Sequence, residues 1–81
     1  MSIRVLFFAT LAEVAGLREA YLDASAFPDV GAVYGRLKIE YPGLAAYRRT
    51  MLCAVNSEFA RFETPVKDGD EVAFFPPVSG G

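Results

Sequence analysis

Gly80 and Gly81 close this 81-residue sequence, and a terminal carboxylate reached along two residues without Cβ atoms is open to approach from every side. A carboxylate is otherwise inert, so any chemistry there needs activation by a second protein. An enzyme that places it on the α-phosphate of ATP would form an acyl-adenylate, and a sulfur nucleophile would convert that to a thiocarboxylate. Terminal glycines alone also describe an inert tail. What separates the two readings is the series before them: the aromatic run Ala73-Phe74-Phe75, then Pro76-Pro77, then the spacer Val78-Ser79. The prolines cannot continue a strand ladder and hold the backbone extended, so they end the strand and direct the tail away from the body. From Pro77 onward five residues reach about 17 Å, at ~3.3–3.6 Å each, enough to enter a neighbouring protein's pocket.

Other reactive side chains are few. Cys53 lies in an apolar run and the chain contains no histidine, so no Cys-His nucleophile pair exists within it, and a packed core cysteine is the expectation. One cysteine and scattered carboxylates make a poor metal set. Asp68, Asp70 and Glu71 cluster at a turn and read as a solvated hairpin tip, with docking against a partner's basic residues as the second reading. Arg48-Arg49, the one adjacent basic pair, reads as a solvated turn or helix end.

The elements that must position the tail follow from periodicity. Ser2 to Ala9 reads as a strand with Ile3, Val5 and Phe7 inward, leaving Leu6 and Phe8 on the outer face with Arg4. Leu11 to Ala15 suits a short helix closed by Gly16 in the left-handed conformation, and Arg18 to Asp23 a second strand paired with the first. Asp29 is a good N-cap for a helix to Tyr41, since Val30, Val33, Tyr34, Leu37 and Tyr41 share one face. Pro42-Gly43 stops it. Gly31 and Gly35 weaken that helix by about 1 kcal/mol each and are expected to allow close approach to the sheet. After a variable stretch from Leu44 to Thr50, Met51 to Val55 reads as a strand, turning at Asn56-Ser57-Glu58 into a short segment, Phe59 to Phe62. Lys67-Asp68-Gly69-Asp70 is a tight turn into a last strand, Glu71 to Phe75, with Val72 and Phe74 inward and Phe75 outward. If the first and last strands are neighbours, Leu6, Phe8 and Phe75 share one exposed face.

This order predicts an α+β roll, a small mixed sheet with one main helix across one face and nothing of the chain's own over the other. Residues 1–76 form one domain and 77–81 an extended tail. The size is near the lower limit for folding without disulfides or metal, and 53% hydrophobic residues exceed what so small a body can bury. A greasy surface, and hence a partner, is implied. A formal net charge of -2 without a basic stripe argues against nucleic acid. Apolar runs such as Val5 to Ala9 fall far short of the roughly 20 residues that span a bilayer, and no signal-like segment precedes the first strand, so a cytoplasmic location is expected.

The run from Asp68 to Gly81 (DGDEVAFFPPVSGG), the VLFFA at Val5 to Ala9 and the AVN at Ala54 to Asn56 resemble the small, sulfur-carrying subunit family of molybdopterin synthase, the MoaD type. Ser79 stands where threonine is common, a like-sized polar replacement. The resemblance implies a ubiquitin-like β-grasp fold. It implies adenylation of Gly81 by an ATP-dependent activating enzyme (MoeB type), with ATP used by that enzyme and no cofactor on this chain. A sulfurtransferase system then supplies sulfur, and the tail (Val78, Ser79, Gly80, Gly81) enters the large synthase subunit (MoaE type) to sulfurate cyclic pyranopterin monophosphate. A heterotetramer is implied, with interface positions at Phe8, Phe59 and Phe75. Open alternatives are a thiamine-pathway sulfur carrier, against which the FFPPV segment argues, a ubiquitin-like protein modifier, and an interaction module with an inert tail.

Overall fold

A computed structural model describes residues 2–23 and 27–77. In chain order these form β1 (Ser2–Phe7), α1 (Thr10–Ala15), β2 (Glu19–Asp23), α2 (Val30–Glu40), a 3-10 helix (Pro42–Tyr47), β3 (Leu52–Val55), β4 (Glu58–Ala60) and β5 (Glu71–Phe75). The strands make one five-stranded sheet in the order β2-β1-β5-β3-β4. β1 and β5 are parallel at its centre, while β2 on β1, β3 on β5 and β4 on β3 are antiparallel. This is the expected β-grasp roll.

Strand alternation sorts the residues into two faces. Val5 is paired with Val72 and Phe7 with Phe74, and with Ile3 all five are at most 2% exposed. They pack beneath Val30, Val33, Tyr34 and Leu37 of α2, each large side chain contributing about 1.5–3 kcal/mol on burial. Phe7 stacks near Phe74 and meets the Tyr41 ring edge-on, both at 6.2 Å between centroids. Asp29 caps α2 as read from the sequence, its carboxylate accepting from the Ala32 N–H at 2.8 Å.

Several expectations are corrected. β1 ends at Phe7 rather than Ala9, because Ala9 takes a φ of 52° and turns the chain into α1. Residues 44–50 are mostly the 3-10 helix, which Pro42 starts at a position needing no N–H. β4 is shorter than read and begins at Glu58, since Asn56 and Ser57 alone form the hairpin loop, both with positive φ (53° and 72°), as a two-residue turn of the twist-matching kind requires. Of the two α2 glycines, neither is set against the sheet. A Cβ on Gly31 would lie 3.2 Å from the Phe62 carbonyl oxygen, and one on Gly35 would meet nothing within 4 Å. Gly31 lets the 61–66 loop close on the helix start, where the Gly31 and Val30 N–H groups donate to Phe62 and Thr64 carbonyls and so satisfy donors a helix leaves free.

Asp70 is the largest revision. Far from a solvated tip, it is 6% exposed, its carboxylate accepting from the Lys67 N–H at 2.9 Å and from Asn56 Nδ2 at 3.0 Å. Asn56 in turn accepts from the Glu71 N–H at 3.0 Å and donates its own N–H to the Glu71 carbonyl. The β3–β4 loop is thereby fastened to the start of β5.

Removing that carboxylate with Asp70→Ala strands two donors, which costs about 1–3 kcal/mol. Ser57→Gly, at a φ that suits glycine, is expected to gain about 0.5–1 kcal/mol. Urea unfolding of both variants beside the parent checks the pair: Asp70→Ala unfolds at lower denaturant and Ser57→Gly at higher, with equal m-values.

Candidate functional site

The face of the sheet that α2 leaves open is organised in rows, because each step across the strands preserves side-chain direction. One row runs Tyr21, Arg4, Glu71; the next Glu19, Leu6, Ala73, Ala54, Phe59; a third joins Phe75 to Leu52. Phe8 continues β1 beside this third row, its N–H donating to the Phe74 carbonyl at 3.1 Å. Charge thus occupies one end of the face and apolar side chains the other.

At the apolar end Phe8 is 49% exposed, Leu52 38% and Phe59 82%, while Phe75 is half-buried. The rings of Phe59 and Phe75 lie 5.8 Å apart. Ala54 is buried on this side without belonging to the main core, so the small residues Ala54 and Ala73 form a shallow floor with large side chains around it. Together they form a contiguous exposed apolar surface, the kind of patch that in soluble proteins is commonly associated with binding. The three interface positions expected from sequence, Phe8, Phe59 and Phe75, come together here. Leu52 was missed. Its signal was the alternation with Cys53, which placed it outside, but only the pairing Leu52 to Phe75 puts it in the strip.

At the charged end Arg4 ion-pairs with Glu19 and, at 3.0 Å, with Glu71, and the Tyr21 hydroxyl donates to Glu19 at 3.1 Å. The Arg4 hydrogen bond, assisted by that of Tyr21, holds the Glu19 carboxyl below its usual range, and Glu19 raises the Arg4 guanidinium in return. These groups are solvent-exposed, so their contribution to stability is small. They interrupt the apolar face and keep it wet at one end.

β5 leads from this strip into Pro76 and Pro77, neither of them in a strand, so the chain leaves the sheet beside Phe75. The tail residues Val78, Ser79, Gly80 and Gly81 lie outside the described residues. Cys53 is 2% exposed, its thiol donating to the Ala60 carbonyl at 3.3 Å. Burial pushes its pKa up, with Glu63 adding to the effect and Arg48 opposing it. Such a thiol is no nucleophile. Arg48 stacks on the Phe62 ring, 3.5 Å from its centroid. Among the described residues no group of three or more His, Cys, Asp or Glu is placed to hold a metal ion, and no helix is long and apolar enough to cross a membrane.

Comparison with known proteins gives consistent matches. Residues 5–81 match the ThiS family. The molybdopterin synthase sulfur carrier subunit of Escherichia coli is 43% identical over 81 residues, covering 98% of this chain and 99% of the relative. Among solved structures, SAMP1 of Haloferax volcanii, a small archaeal modifier protein, superposes with a TM-score of 0.82 at 34% identity over the full length of both chains. A chain from the protein-protein complex of subunits 1 and 2 of the molybdopterin-converting factor of Helicobacter pylori superposes with a TM-score of 0.71 at 28% identity, again over all of both.

The state of Cys53 sets an expected outcome. The folded chain keeps its thiol proton at a pH where the unfolded chain, titrating near ~8.5, has lost it, so stability falls as pH rises past that value. Native protein is accordingly expected to react with a disulfide reagent only as fast as it opens, whereas in denaturant the thiol reacts at once. Equal rates in both states would contradict the buried assignment.

Proposed function

This chain belongs to the ThiS family of ubiquitin-like β-grasp proteins, and we propose that it is the sulfur-carrier subunit of a molybdopterin synthase. The observation that carries the reading is the junction of two features: an open apolar strip around Phe8, Leu52, Phe59 and Phe75, and a strand, β5, that ends at that strip and is followed in sequence by Pro76-Pro77 and the Gly80-Gly81 end. The strip docks a partner, and the prolines aim the tail into that partner's active site. The name of the Escherichia coli relative and the Helicobacter pylori complex of two subunits support the choice of synthase.

The chemistry falls on Gly81. Its carboxylate attacks the α-phosphorus of ATP in a MoeB-type activating enzyme, releasing pyrophosphate and forming an acyl-adenylate. Sulfur supplied through a sulfurtransferase, reduced to the sulfide level by a thiol reductant, attacks the acyl carbon and displaces AMP, giving a C-terminal thiocarboxylate. In the MoaE-type large subunit that sulfur passes to cyclic pyranopterin monophosphate, and hydrolysis of the acyl group by water breaks its bond to sulfur and regenerates a Gly81 carboxylate for another round. ATP belongs to the activating enzyme, and this chain contributes no catalytic side chain of its own. Residues 77–81 act as the tail, and the absence of a Cβ at Gly80 and Gly81 lets it thread a narrow channel. We place this cycle in the cytoplasm, with two carriers on a large-subunit dimer.

A second reading is a ubiquitin-like modifier, favoured by the match to the archaeal modifier protein. It uses the same adenylate but ends in an isopeptide with a lysine.

Intact mass after incubation with ATP, activating enzyme and sulfur source separates the readings. Exchange of one oxygen for sulfur supports the carrier, conjugates of higher mass the modifier, and an unchanged mass under competent conditions defeats both. Deleting Gly81 is expected to abolish sulfur transfer with the melting transition intact. Phe75→Asp is expected to weaken large-subunit binding by tenfold or more, roughly 1.4 kcal/mol or above, as measured by calorimetry.

A further inference from the structure

Beside the apolar strip lies a groove of about 770 Å³, lined by Ala12 and Glu13 of α1, by Leu6 and Phe8, and by Leu17 and Arg18 ahead of β2. It forms where Ala9, at a φ of 52°, turns the chain out of β1 into α1, whose Leu11 and Ala15 are buried in the core. Leu6 and Phe8 belong both to the groove and to the open face, so the two surfaces are continuous.

Its charges are unevenly met. Arg4, at one end, is held by Glu19 and Glu71. Arg18 is exposed, and among the described residues no carboxylate lies within ion-pair distance of it. Glu13, on the α1 side of the lining, is likewise exposed and outside any ion pair among the described residues, so the groove presents apolar side chains between one unmet cation, Arg18, and one unmet carboxylate. It also lacks the buried polar group that orients a small ligand: the one buried charged residue among those described is Asp70, at the β5 turn. A protein segment fits this combination better than a small molecule does.

We propose that the groove is the second half of the docking surface and receives a segment of the large synthase subunit in which an apolar side chain stands next to a carboxylate. The apolar group seats against Leu6, Phe8 and Leu17, and the carboxylate pairs with Arg18, the like charge of Glu13 on the α1 side disfavouring the reverse orientation. This rests on the sulfur-carrier reading and adds to it a determinant of partner choice, since a charge at the rim of an interface acts on encounter and on rejection of wrong partners more than on final affinity.

The test compares association rates of the full chain with the large subunit for the parent, Arg18→Glu, Arg18→Lys, Phe75→Asp and Arg49→Glu. Arg49 is exposed, does not line the groove, and matches Arg18→Glu in net-charge change. Arg18→Glu is expected to slow association about tenfold at low salt, the gap closing as salt screens the pair, while Arg18→Lys and Arg49→Glu stay within about twofold of the parent. Four outcomes overturn the proposal. Parent-like association by Arg18→Glu with Phe75→Asp crippled confines the dock to the strip and leaves the carrier reading standing. Equal slowing by Arg49→Glu assigns the effect to net charge. A parent dimer in sedimentation that Arg18→Glu dissolves makes the occupant a second copy. Parent-like binding by both Arg18→Glu and Phe75→Asp removes the carrier's dock along with the groove.

Discussion

The parallel pairing of β1 with β5 is the contact on which the rest of this molecule depends. It joins the first strand to the last across the whole sequence, and parallel neighbours cannot be joined by a tight turn, so everything between Phe7 and Glu71 serves as the crossover. The register of that one pair decides both faces at once. With Val5 opposite Val72 and Phe7 opposite Phe74, the core is filled under α2; Arg4 then falls opposite Glu71 and Leu6 opposite Ala73 on the open side. A slip of one residue would turn the core side chains to solvent and the ionic row into the interior. The Asp70–Asn56 network guards against this, since it fixes the residue just before β5 to the β3–β4 loop while the Arg4 N–H takes the Asp70 carbonyl and the Gly69 N–H the Ser2 carbonyl.

The open face is a compromise between two demands. A sheet with helices on one side leaves half its surface without internal cover, and a small domain has little polar surface to spare for it. Here the two ends are treated differently. Arg4, bonded to carboxylates on both neighbouring strands, keeps one end hydrated, while small alanines at the centre leave a floor rather than a ridge. Only the end nearest Pro76 is given over to large apolar groups. Confining them there puts the apolar surface where β5 ends.

Much of this was legible in the sequence, and what was not has definable causes. Period-two and period-3.6 patterns gave the strands, α2, its Asp29 cap and the inward and outward residues of β1 and β5, because each of those signals is local. Ala9 broke the pattern because a non-glycine residue with positive φ carries no mark in sequence. The turn at Asn56-Ser57 was visible as a turn, but its length, and with it the start of β4, depended on both residues taking positive φ. Asp70 was misread because a carboxylate in a loop looks the same whether it meets water or the N–H groups of a neighbouring loop. Leu52 and the Arg4 ion pairs needed cross-strand register, which no single-strand pattern contains. The Gly31 contact required knowing that the 61–66 loop returns to the helix.

Placing dock and tail at the same end of one strand has a consequence for how such a carrier works. On the sulfur-carrier reading the tail must visit an activating enzyme and then a synthase, and its reach beyond Pro77 is only about 17 Å at ~3.3–3.6 Å per residue. A partner can therefore take up Gly81 only if it binds close to Phe75, which makes the apolar strip common to both encounters and allows one partner at a time. Neither complex can be permanent, for a partner that never released the strip would hold the tail as well. Successive partners must then be told apart by features at the margin of the shared strip, and the ionic row and the Arg18 groove are the parts of this face where charge is available to do so.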